Sequence, residues 1–365
     1  MTKTAAIEKL DVKAYRVPTD KPESDGTLRW DATTMVTVHV QAGGKQGFGY
    51  SYTAAGAVTV IRGTLGEKIL GIDAFDIPRC WALMTAEIRN MGESGIARMA
   101  VAAVEVALWD LKAKLLGLPL VTLLGRVRDK VAVYGSGGFT SYTNEELQAQ
   151  LAGWVADGIP RVKMKIGRDP EKDPARIRAA REAIGEQTAL FVDANGGYDR
   201  KQALAMADRF SRLNVTWYEE PVSQKDAEGL RFIRERVPPV IEVTAGEYGF
   251  LGDDFRILLQ SGAVDVLMAD ITRCGITGYL QAAALCAAHH IPLSSHCAPA
   301  LHLHPSCALA PVRHMEYFHD HVRIEHMLLE GVSEPVDGFL APDLSRPGIG
   351  LELKTADAEK YAITV

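Results

Sequence analysis

The sequence predicts an α/β protein in which an N-terminal α+β module precedes a (β/α)8-type barrel with shortened last units. Beyond residue 130, short apolar segments of strand length alternate with amphipathic helical segments, and eight such strands can be counted. No Gly-x-Gly-x-x-Gly turn follows any of them, which disfavours the alternative of an open dinucleotide-binding sheet. Acidic residues also recur in step at the ends of the predicted strands.

The chain divides into three predicted parts. Residues 1–130 form an α+β capping domain, with strands at residues 7–17, 34–40 and 47–52 and helices near residues 55–70, 77–91 and 96–116. Residues 131–330 carry the barrel, whose last two strands are predicted at residues 292–295 and 314–317 with no helix predicted after either. Residues 331–365 form a tail that we expect to pack back on the capping domain.

Composition excludes several classes of protein. With 365 residues, 47% of them hydrophobic, the chain can bury a large core. A net charge of -6 offers no basic surface for nucleic acid, and no apolar run is long enough to span a membrane. The N-terminus lacks the apolar stretch of a secretory signal, so we expect a cytoplasmic protein. Five widely spaced cysteines argue against a disulfide framework and a cysteine zinc site.

Two lysines separated by one residue lie in the predicted second barrel strand. Because side chains alternate along a strand, Lys163 and Lys165 face one side, and Val162, Met164 and Ile166 face the other. In a parallel barrel the apolar side must meet the surrounding helices, so both lysines point inward. An unpaired ammonium there would cost several kcal/mol, which predicts anions inside the barrel. A solvated face of an exposed sheet is the alternative explanation.

Acidic residues follow the next three strands. Asp193, Glu219 and Glu247 are separated by 26 and 28 residues, each one strand–helix unit, so their carboxylates are expected to stand side by side at the barrel mouth. Three clustered anions repel one another unless a cation lies between them, and an oxygen-only site suits Mg²⁺, with Mn²⁺ as a substitute. Each acid alone could instead be a helix N-cap or a surface charge.

Two later strand ends predict a carboxylate–imidazole pair across the mouth from the lysines. Asp270 and His296 are 26 residues apart, and such a carboxylate would orient the ring and raise its basicity. Glu316, on the eighth strand, could hydrogen-bond a substrate oxygen or support the ligands. Desolvation and the neighbouring charge of Lys163 predict a lowered pKa for Lys165, which could then act as a base on a proton α to a carboxylate.

In combination these motifs resemble the enolase superfamily, in its mandelate racemase subgroup, over nearly the whole chain. The resemblance implies a Lys-x-Lys base motif, a set of three Mg²⁺ ligands, an Asp–His dyad and a glutamate that acts as electrophile toward the substrate carboxylate. The Lys-x-Lys motif is Lys163 with the abstracting Lys165, and the Mg²⁺ ligands are Asp193, Glu219 and Glu247. The dyad is Asp270 with His296, and the electrophile is Glu316.

The resemblance also settles one choice and shows one departure. Strand alternation leaves open whether Glu219 or Glu220 binds the metal, and the resemblance assigns Glu219. The segment Arg273-Cys-Gly-Ile-Thr-Gly278 has one glycine where relatives often carry two, which could alter the loop beyond Asp270.

Members with both a Lys-x-Lys motif and a His–Asp dyad are mostly acid-sugar dehydratases. The resemblance therefore implies dehydration of an aldonate or aldarate to a 2-keto-3-deoxy acid, with Lys165 as base and His296 as acid, roles that can exchange with substrate stereochemistry. Racemisation or epimerisation of a 2-hydroxy acid is the alternative. Related proteins are commonly symmetric assemblies, so we expect a homo-oligomer that binds a small-molecule carboxylate.

Two readings from other classes remain at this point. One is a catalytically silent barrel, which would have lost some polar positions of the ring, and none of the expected types is missing. The other is a zinc hydrolase using His302-Leu-His304 and His319-Asp-His321. Both pairs fall out of phase with the acids, so we expect them on local helix or loop surface.

Substrate specificity is expected to lie outside the barrel proper. In the family that the sequence resembles, two loops of the N-terminal module cover the mouth, and the candidates here are residues 18–30 and 49–52. The predicted substrate contacts are Arg29, Trp30, Tyr50, Ser136 and Asn195.

Overall fold

The computed structural model describes residues 4–365, and its N-terminal part is an antiparallel sheet backed by helices. The strands are β1 (Ile7–Ser24), β2 (Arg29–Ala42) and β3 (Lys45–Tyr52). The helices are α1 (Ala57–Val60), which runs through a π-helical turn (Ile61–Leu65) into α2 (Gly66–Ile69), then α3 (Ile77–Ile88), α4 (Ile96–Leu116) and α5 (Leu120–Leu124). One face of the sheet, including Val36, Val38 and Val40, packs on these helices, while Tyr15 and Tyr50 join the core that contains the barrel.

Eight parallel strands form a closed barrel, which confirms the predicted fold class. They are β4 (Val131–Gly137), β5 (Arg161–Lys165), β6 (Ala189–Asp193), β7 (Val215–Glu219), β8 (Glu242–Ala245), β9 (Val266–Ala269), β10 (Leu293–Ser295) and β11 (Val312–Phe318). The ring closes between the last strand and the first, where Glu316 pairs with Tyr134.

A helix follows each barrel strand. They are α6 (Asn144–Ala156), α7 (Asp173–Ile184), α8 (Arg200–Ser211), α9 (Ala227–Arg234), α10 (Gly252–Gln260), α11 (Ile271–His289), α12 (Pro299–Cys307) and α13 (His319–Leu328). Local sequence sets their starts: at α6, Thr143 and Glu146 form a reciprocal capping box.

The inside of the barrel has an apolar layer and a charged layer. Tyr134, Phe191, Trp217, Val266 and Met268 form the apolar layer, in which the Phe191 and Trp217 rings stack with centroids 5.1 Å apart. Lys163 adjoins it, with Nζ 5.5 Å from the centroid of the Tyr134 ring. The charged groups therefore lie at one end of a filled core rather than in an open channel.

The tail touches both parts of the molecule. It follows β12 (Leu329–Glu330), and its elements are β13 (Phe339–Leu340), β14 (Glu352–Leu353), α14 (Thr355–Ala358), a 3₁₀ turn (Glu359–Tyr361) and β15 (Ala362–Ile363). β13 pairs with barrel strand β4, and β15 pairs with β1 of the N-terminal sheet. Asp110 on α4 accepts hydrogen bonds from the backbone of Ile349 and of Phe48, which fastens the tail to α4 and β3.

Two barrel helices were not predicted from the sequence, and one segment was wrongly expected to be a loop. α12 was not predicted because all nine of its residues are buried, so it shows no amphipathic period. α13, which follows β11, was not predicted either. Residues 18–30 were expected to be a loop, but they belong mostly to β1 and β2, and only residues 25–28 make the turn. Antiparallel pairing continues through this polar stretch, with an irregularity between Pro18 and Glu23.

Within residues 4–365, no helix is both long enough and apolar enough to cross a lipid bilayer.

The contact between α4 and β3 predicts one strongly destabilising substitution. A Cβ on Gly49 would lie 2.5 Å from the carbonyl oxygen of Ala103, so the helix and strand would have to separate. We expect Gly49→Ala to cost about 1–3 kcal/mol and to lower the midpoint of thermal unfolding. Gly63→Ala is the matched control, because no atom lies within 4 Å of its added Cβ. Equal midpoints for the two variants would contradict the packing argument.

Buried His304 predicts how stability depends on pH. Its Nδ1 accepts the Val121 N–H at 3.2 Å, and burial lowers its pKa to about 4. The imidazole titrates near 6.5 when unfolded, so its contribution is complete above pH 6.5 and is lost as the pH falls toward 4, by about 3 kcal/mol. In thermal melts across this range, His304→Gln should flatten the acid-side loss. The exposed His289→Gln should leave the wild-type slope unchanged; if His304→Gln does too, the assignment fails.

Candidate active site

The carboxyl ends of the barrel strands open into a cavity of about 340 Å³. The N-terminal sheet closes one side of it. The barrel residues lining it are Lys165, Asn195, Glu247, Tyr248, Asp270, Thr272, Arg273, His296, Cys297, Phe318 and His321. The N-terminal part adds Asp25, Trp30, Ala32, Thr33, Thr34, Tyr52, Thr53 and Ala54.

Three carboxylates meet beside this cavity. Asp193 ends β6, Glu219 ends β7, and Glu247 lies two residues beyond β8. An oxygen from each lies within 4.8 Å of the others, and all three residues are buried. Burial, followed by the charge of Asp193, raises the pKa of Glu219 well above its usual value. The cluster is therefore short of positive charge.

One oxygen of the cluster has no donor. Glu247 Oε2 lies 3.3 Å from His296 Nε2 but forms no hydrogen bond with it, and no other described group donates to it. A buried carboxylate oxygen left in this state is costly unless a cation takes it up. The donor set consists only of carboxylate oxygens, which fits a hard divalent cation such as Mg²⁺.

Both lysines of β5 lie inside the barrel among these acids. Lys163 Nζ lies 2.6 Å from Glu219 Oε1 and 2.8 Å from Glu316 Oε1. Lys165 Nζ lies 2.5 Å from Asp193 Oδ2. Burial by itself raises the pKa of Asp193, but the two lysines outweigh it and hold that pKa below its usual value. The ammonium groups and the acids thus compensate one another.

The expectation of a lowered pKa for Lys165 is wrong in this structure. Burial lowers its pKa, as does the charge of Lys163, but Asp193, supported by Glu247 and Glu219, outweighs them and raises it. The neighbouring ammonium alone would lower the pKa, but the carboxylates close to Lys165 have the larger effect. A cation among the carboxylates would oppose this rise.

Asp270 and His296 form the expected pair. The His296 ring donates from Nδ1 to Asp270 Oδ2 at 2.9 Å, which leaves Nε2 facing the acid cluster. Burial opposes the charge on His296, but Glu247 and then Asp270 outweigh it and raise its pKa. Arg273 stands behind the pair, with Nε 3.6 Å from Asp270 Oδ2 and its guanidinium 4.2 Å from the centroid of the Tyr248 ring.

Glu316 joins the two sides of the site. Its Oε1 accepts from Ser136 Oγ at 2.6 Å, and its Oε2 accepts from the Cys297 N–H at 2.7 Å. Burial raises the pKa of Glu316, but Lys163 and then His296 outweigh it and hold the pKa well below the usual value. The carboxylate is therefore ionised and held by one donor on β4 and one just beyond β10.

The backbone is strained where three strands deliver these side chains. Asn195, Glu220 and Cys297 have φ values of 46°, 39° and 53°, in the left-handed region that non-glycine residues rarely adopt. Each follows a site residue by one or two positions. Such strain persists only where the surrounding structure enforces it, and it is common at functional sites.

The predicted substrate contacts divide into two groups. Trp30 and Asn195 line the cavity. Tyr50, Arg29 and Ser136 are not among the described residues that line it. The Tyr50 hydroxyl instead donates to buried Glu325 at 2.6 Å, Arg29 is exposed, and Ser136 lies behind the wall, bonded to Glu316.

Several residues of the cavity wall were not predicted from the sequence, chiefly Thr33, Thr53, Tyr248 and Arg273. A signal existed for two of them. Tyr248 is next to Glu247, and Arg273 lies one helical turn beyond Asp270, so both follow recognised strand ends. The threonines gave none, because they lie on β2 and just beyond β3 and reach the barrel only through the packing of the sheet.

The single glycine after β9 has a defined structural role. Gly275 adopts φ 71° inside α11, and a Cβ there would lie 2.7 Å from Glu105 Oε2. Ile276, the next residue, donates its N–H to that oxygen at 2.8 Å, and Thr277 donates its N–H to Oε1. The departure therefore leaves the segment fastened to Glu105 on α4.

The two histidine pairs do not form a zinc site with each other. His302 uses both ring nitrogens, toward the Ile271 N–H and the Ala298 carbonyl, and His304 accepts from Val121. The expected surface position is wrong for His302, His304 and His321, which are buried where α12 and α13 pack. His319 is partly exposed and pairs with Asp20.

Family models match both parts of the chain. "Mandelate racemase / muconate lactonizing enzyme, N-terminal domain" matches residues 11–125, and "Enolase C-terminal domain-like" matches residues 146–358.

Individual relatives agree with this. L-talarate/galactarate dehydratase of Salmonella typhimurium is 32% identical over 335 residues, covering 87% of this chain and 84% of that protein. Its crystal structure with Mg and L-lyxarohydroxamate has a TM-score of 0.90 at 28% identity, over 99% of this chain and 94% of the other. A mandelate racemase/muconate lactonizing enzyme-like protein of Rubrobacter xylanophilus has a TM-score of 0.96 at 54% identity, over 98% and 100%. The chain therefore belongs to the enolase superfamily, in its mandelate racemase subgroup.

Proposed function

We propose that the protein removes the proton α to the carboxylate of a sugar acid with the aid of Mg²⁺, and that it dehydrates this acid to a 2-keto-3-deoxy acid. The observation that carries the proposal is that two proton-transferring groups flank one acid cluster: Lys165 Nζ contacts Asp193, and His296 Nε2 lies beside Glu247. Three strand steps around the barrel separate β5 from β10, so a substrate between the two side chains meets them on different faces.

The proposed Mg²⁺ ligands are Asp193, Glu219 and Glu247, and Mn²⁺ could replace the ion. The donor-free Glu247 oxygen and the excess of buried negative charge support this assignment. The Mg found in the structure of the Salmonella relative supports the choice of ion. When bound, such a cation stabilises negative charge that develops on the substrate carboxylate.

The residues around the cluster take distinct proposed roles. Lys165 removes the α-proton in its neutral form, which a cation held by the carboxylates would favour. His296 protonates the leaving hydroxyl through Nε2, because Asp270 holds its Nδ1 proton. Lys163, held by Glu219 and Glu316, orients the substrate carboxylate, and Glu316 faces the same group. That Glu316 acts as an electrophile stays a prediction.

The dehydration balances with these groups alone. The α C–H bond breaks and its proton passes to Lys165, while the C–O bond at the β-carbon breaks and the hydroxyl departs as water with the proton of His296. The resulting enol becomes the 2-keto acid by taking up a proton at the β-carbon and losing the proton of its hydroxyl. Lys165 then returns its extra proton to solvent, and His296 regains one from solvent. No oxidant or reductant is required.

The opposite cavity wall supports a polyhydroxylated substrate. Thr33, Thr34, Thr53 and Tyr52 bring hydroxyl groups to it, and Thr53 Oγ1 has no hydrogen-bond partner among the described residues. Such groups can recognise sugar hydroxyls by donating hydrogen bonds to them and accepting hydrogen bonds from them.

Racemisation or epimerisation of a 2-hydroxy acid is the second candidate, and the same two-sided geometry favours it. One group would remove the α-proton and the other would return a proton to the opposite face, with the hydroxyl retained. Incubation in D₂O separates the two reactions. Exchange of the α-proton without formation of a 2-keto acid would favour the second candidate.

The proton-transfer assignment predicts two inactive variants. With a substrate found by screening aldonic and aldaric acids with Mg²⁺ for 2-keto acid formation, Lys165→Ala and His296→Asn should each lower kcat by about 10²–10⁴-fold, because each removes a proton-transferring group. Lys172→Ala and His289→Ala change exposed side chains and should retain wild-type turnover. Wild-type turnover in either site variant would refute its assignment.

The metal assignment predicts a binding defect that is separate from catalysis. Glu247→Gln keeps the shape of the side chain but removes one anionic ligand, so we expect the affinity for Mg²⁺, measured by calorimetry without substrate, to fall about 100-fold or more. Glu228→Gln changes an exposed acid on α9 and serves as the control. Unchanged affinity in Glu247→Gln would remove Glu247 from the ligand set. Chelation should abolish wild-type activity, and added Mg²⁺ should restore it.

A further inference from the structure

We propose that Asp20, Glu23 and His319 form a second divalent metal site, distinct from the acid cluster and suited to a transition metal such as Zn²⁺. Asp20 and Glu23 lie on β1 of the N-terminal sheet, and His319 is the first residue of α13 on the barrel. A metal bound there would join the two parts of the molecule at the rim of the cavity.

The ligand atoms are already assembled. One atom from each of the three side chains lies within 4.8 Å of the other two. Asp20 Oδ2 and His319 Nε2 are 3.1 Å apart, so a small rotation of either side chain would place a cation between them. The irregular pairing of β1 between Pro18 and Glu23 lets both acids face the barrel end of the hairpin.

Glu23 provides the independent sign of a missing partner. The residue is fully buried, at 0% exposure. Its Oε2 accepts the indole N–H of Trp30 at 2.7 Å, but its Oε1 has no hydrogen-bond partner. A buried carboxylate oxygen without a donor is costly, and metal coordination is one of the few ways to satisfy it.

The surrounding charges also leave room for a cation. Asp320 is a further nearby acid, and the neighbouring cations are already paired: Arg323 with Asp320 at 2.8 Å, and Lys21 with Glu146 at 2.6 Å. A dication bound by Asp20, Glu23 and His319 would balance the local negative charge.

The donor atoms of the site indicate which metal ion it suits. One imidazole nitrogen with two carboxylate oxygens suits Zn²⁺, whereas the oxygen-only cluster in the barrel suits Mg²⁺. Asp20 is exposed and His319 is partly exposed, so an ion can enter from solvent and keep water in its remaining positions. The two sites are therefore distinguishable by the ion that each prefers.

Occupancy would act on the cavity through Trp30. The indole of Trp30 lines the cavity and is held by Glu23, and its ring meets Phe139 edge-on at 5.6 Å. Fixing Glu23 to a metal shared with α13 would hold this part of the wall against the barrel. Zn²⁺ would thus order the β1–β2 hairpin without touching the reacting atoms.

The test is Zn²⁺ binding to protein that carries no affinity tag and has been stripped of metal. Equilibrium dialysis is done with excess Mg²⁺ present, so that the oxygen-only cluster is occupied. Wild type should retain one Zn²⁺ per chain, and Asp20→Asn and His319→Ala should each weaken binding by about 100-fold. The matched controls are Asp31→Asn, an exposed acid of the same hairpin, and His289→Ala, an exposed histidine of α11, and both should bind as wild type does.

Hydrogen exchange gives a second measurement. Added Zn²⁺ should slow amide exchange in residues 18–30 of wild type and not of His319→Ala. Thermal melts without zinc should show both ligand variants folded. Because Asp20 is exposed, Asp20→Asn should fold in any case, so its Zn²⁺ affinity tests the proposal even if His319→Ala does not fold. The proposal is overturned if wild type binds no Zn²⁺ beside Mg²⁺ or if Asp20→Asn keeps wild-type affinity. None of these readouts depends on the enzyme's activity or substrate.

Discussion

The candidate site depends on the burial of two ammonium groups inside a closed barrel. Lys163 and Lys165 can lie there only because Asp193, Glu219 and Glu316, on three other strands, bring carboxylates into contact with them. The acids need the lysines equally. Further buried acids near the same centre leave an excess of negative charge, and this excess makes the cluster a fit for a divalent cation.

Much of this was open to prediction because a parallel barrel imposes a strict order on its strand ends. Asp193, Glu219, Glu247, Asp270 and His296 recur at intervals of one strand–helix unit, and the closed ring brings them to one mouth. Alternation along β5 separated the inward lysines from Val162, Met164 and Ile166, which lie in the main core. The spacing of the strand ends and the alternation of side chains along β5 were therefore enough to predict the barrel and its charged centre.

The predictions that were wrong concern contacts between residues far apart in the sequence, which no local sequence pattern encodes. Tyr50 and Tyr52 share one face of β3, yet only Tyr52, at the end of the strand, reaches the cavity. Tyr50 lies two residues farther back and meets Glu325 instead. The pKa of Lys165 depends on its contact with Asp193, a residue 28 positions away. Helix α12 is buried on every side and so lacks the apolar stripe by which helices are recognised.

The link between Glu105 and the start of α11 bears on how this protein could change over evolution. Glu105 belongs to the N-terminal part, but it holds the backbone at Ile276 and Thr277, a few residues after Asp270 of the dyad. The capping domain is thus a structural support of the barrel's chemistry as well as a wall of the cavity. A natural or engineered chimera that exchanged this domain for that of another family member would have to preserve the Glu105 contact, so the two domains are constrained to diversify together.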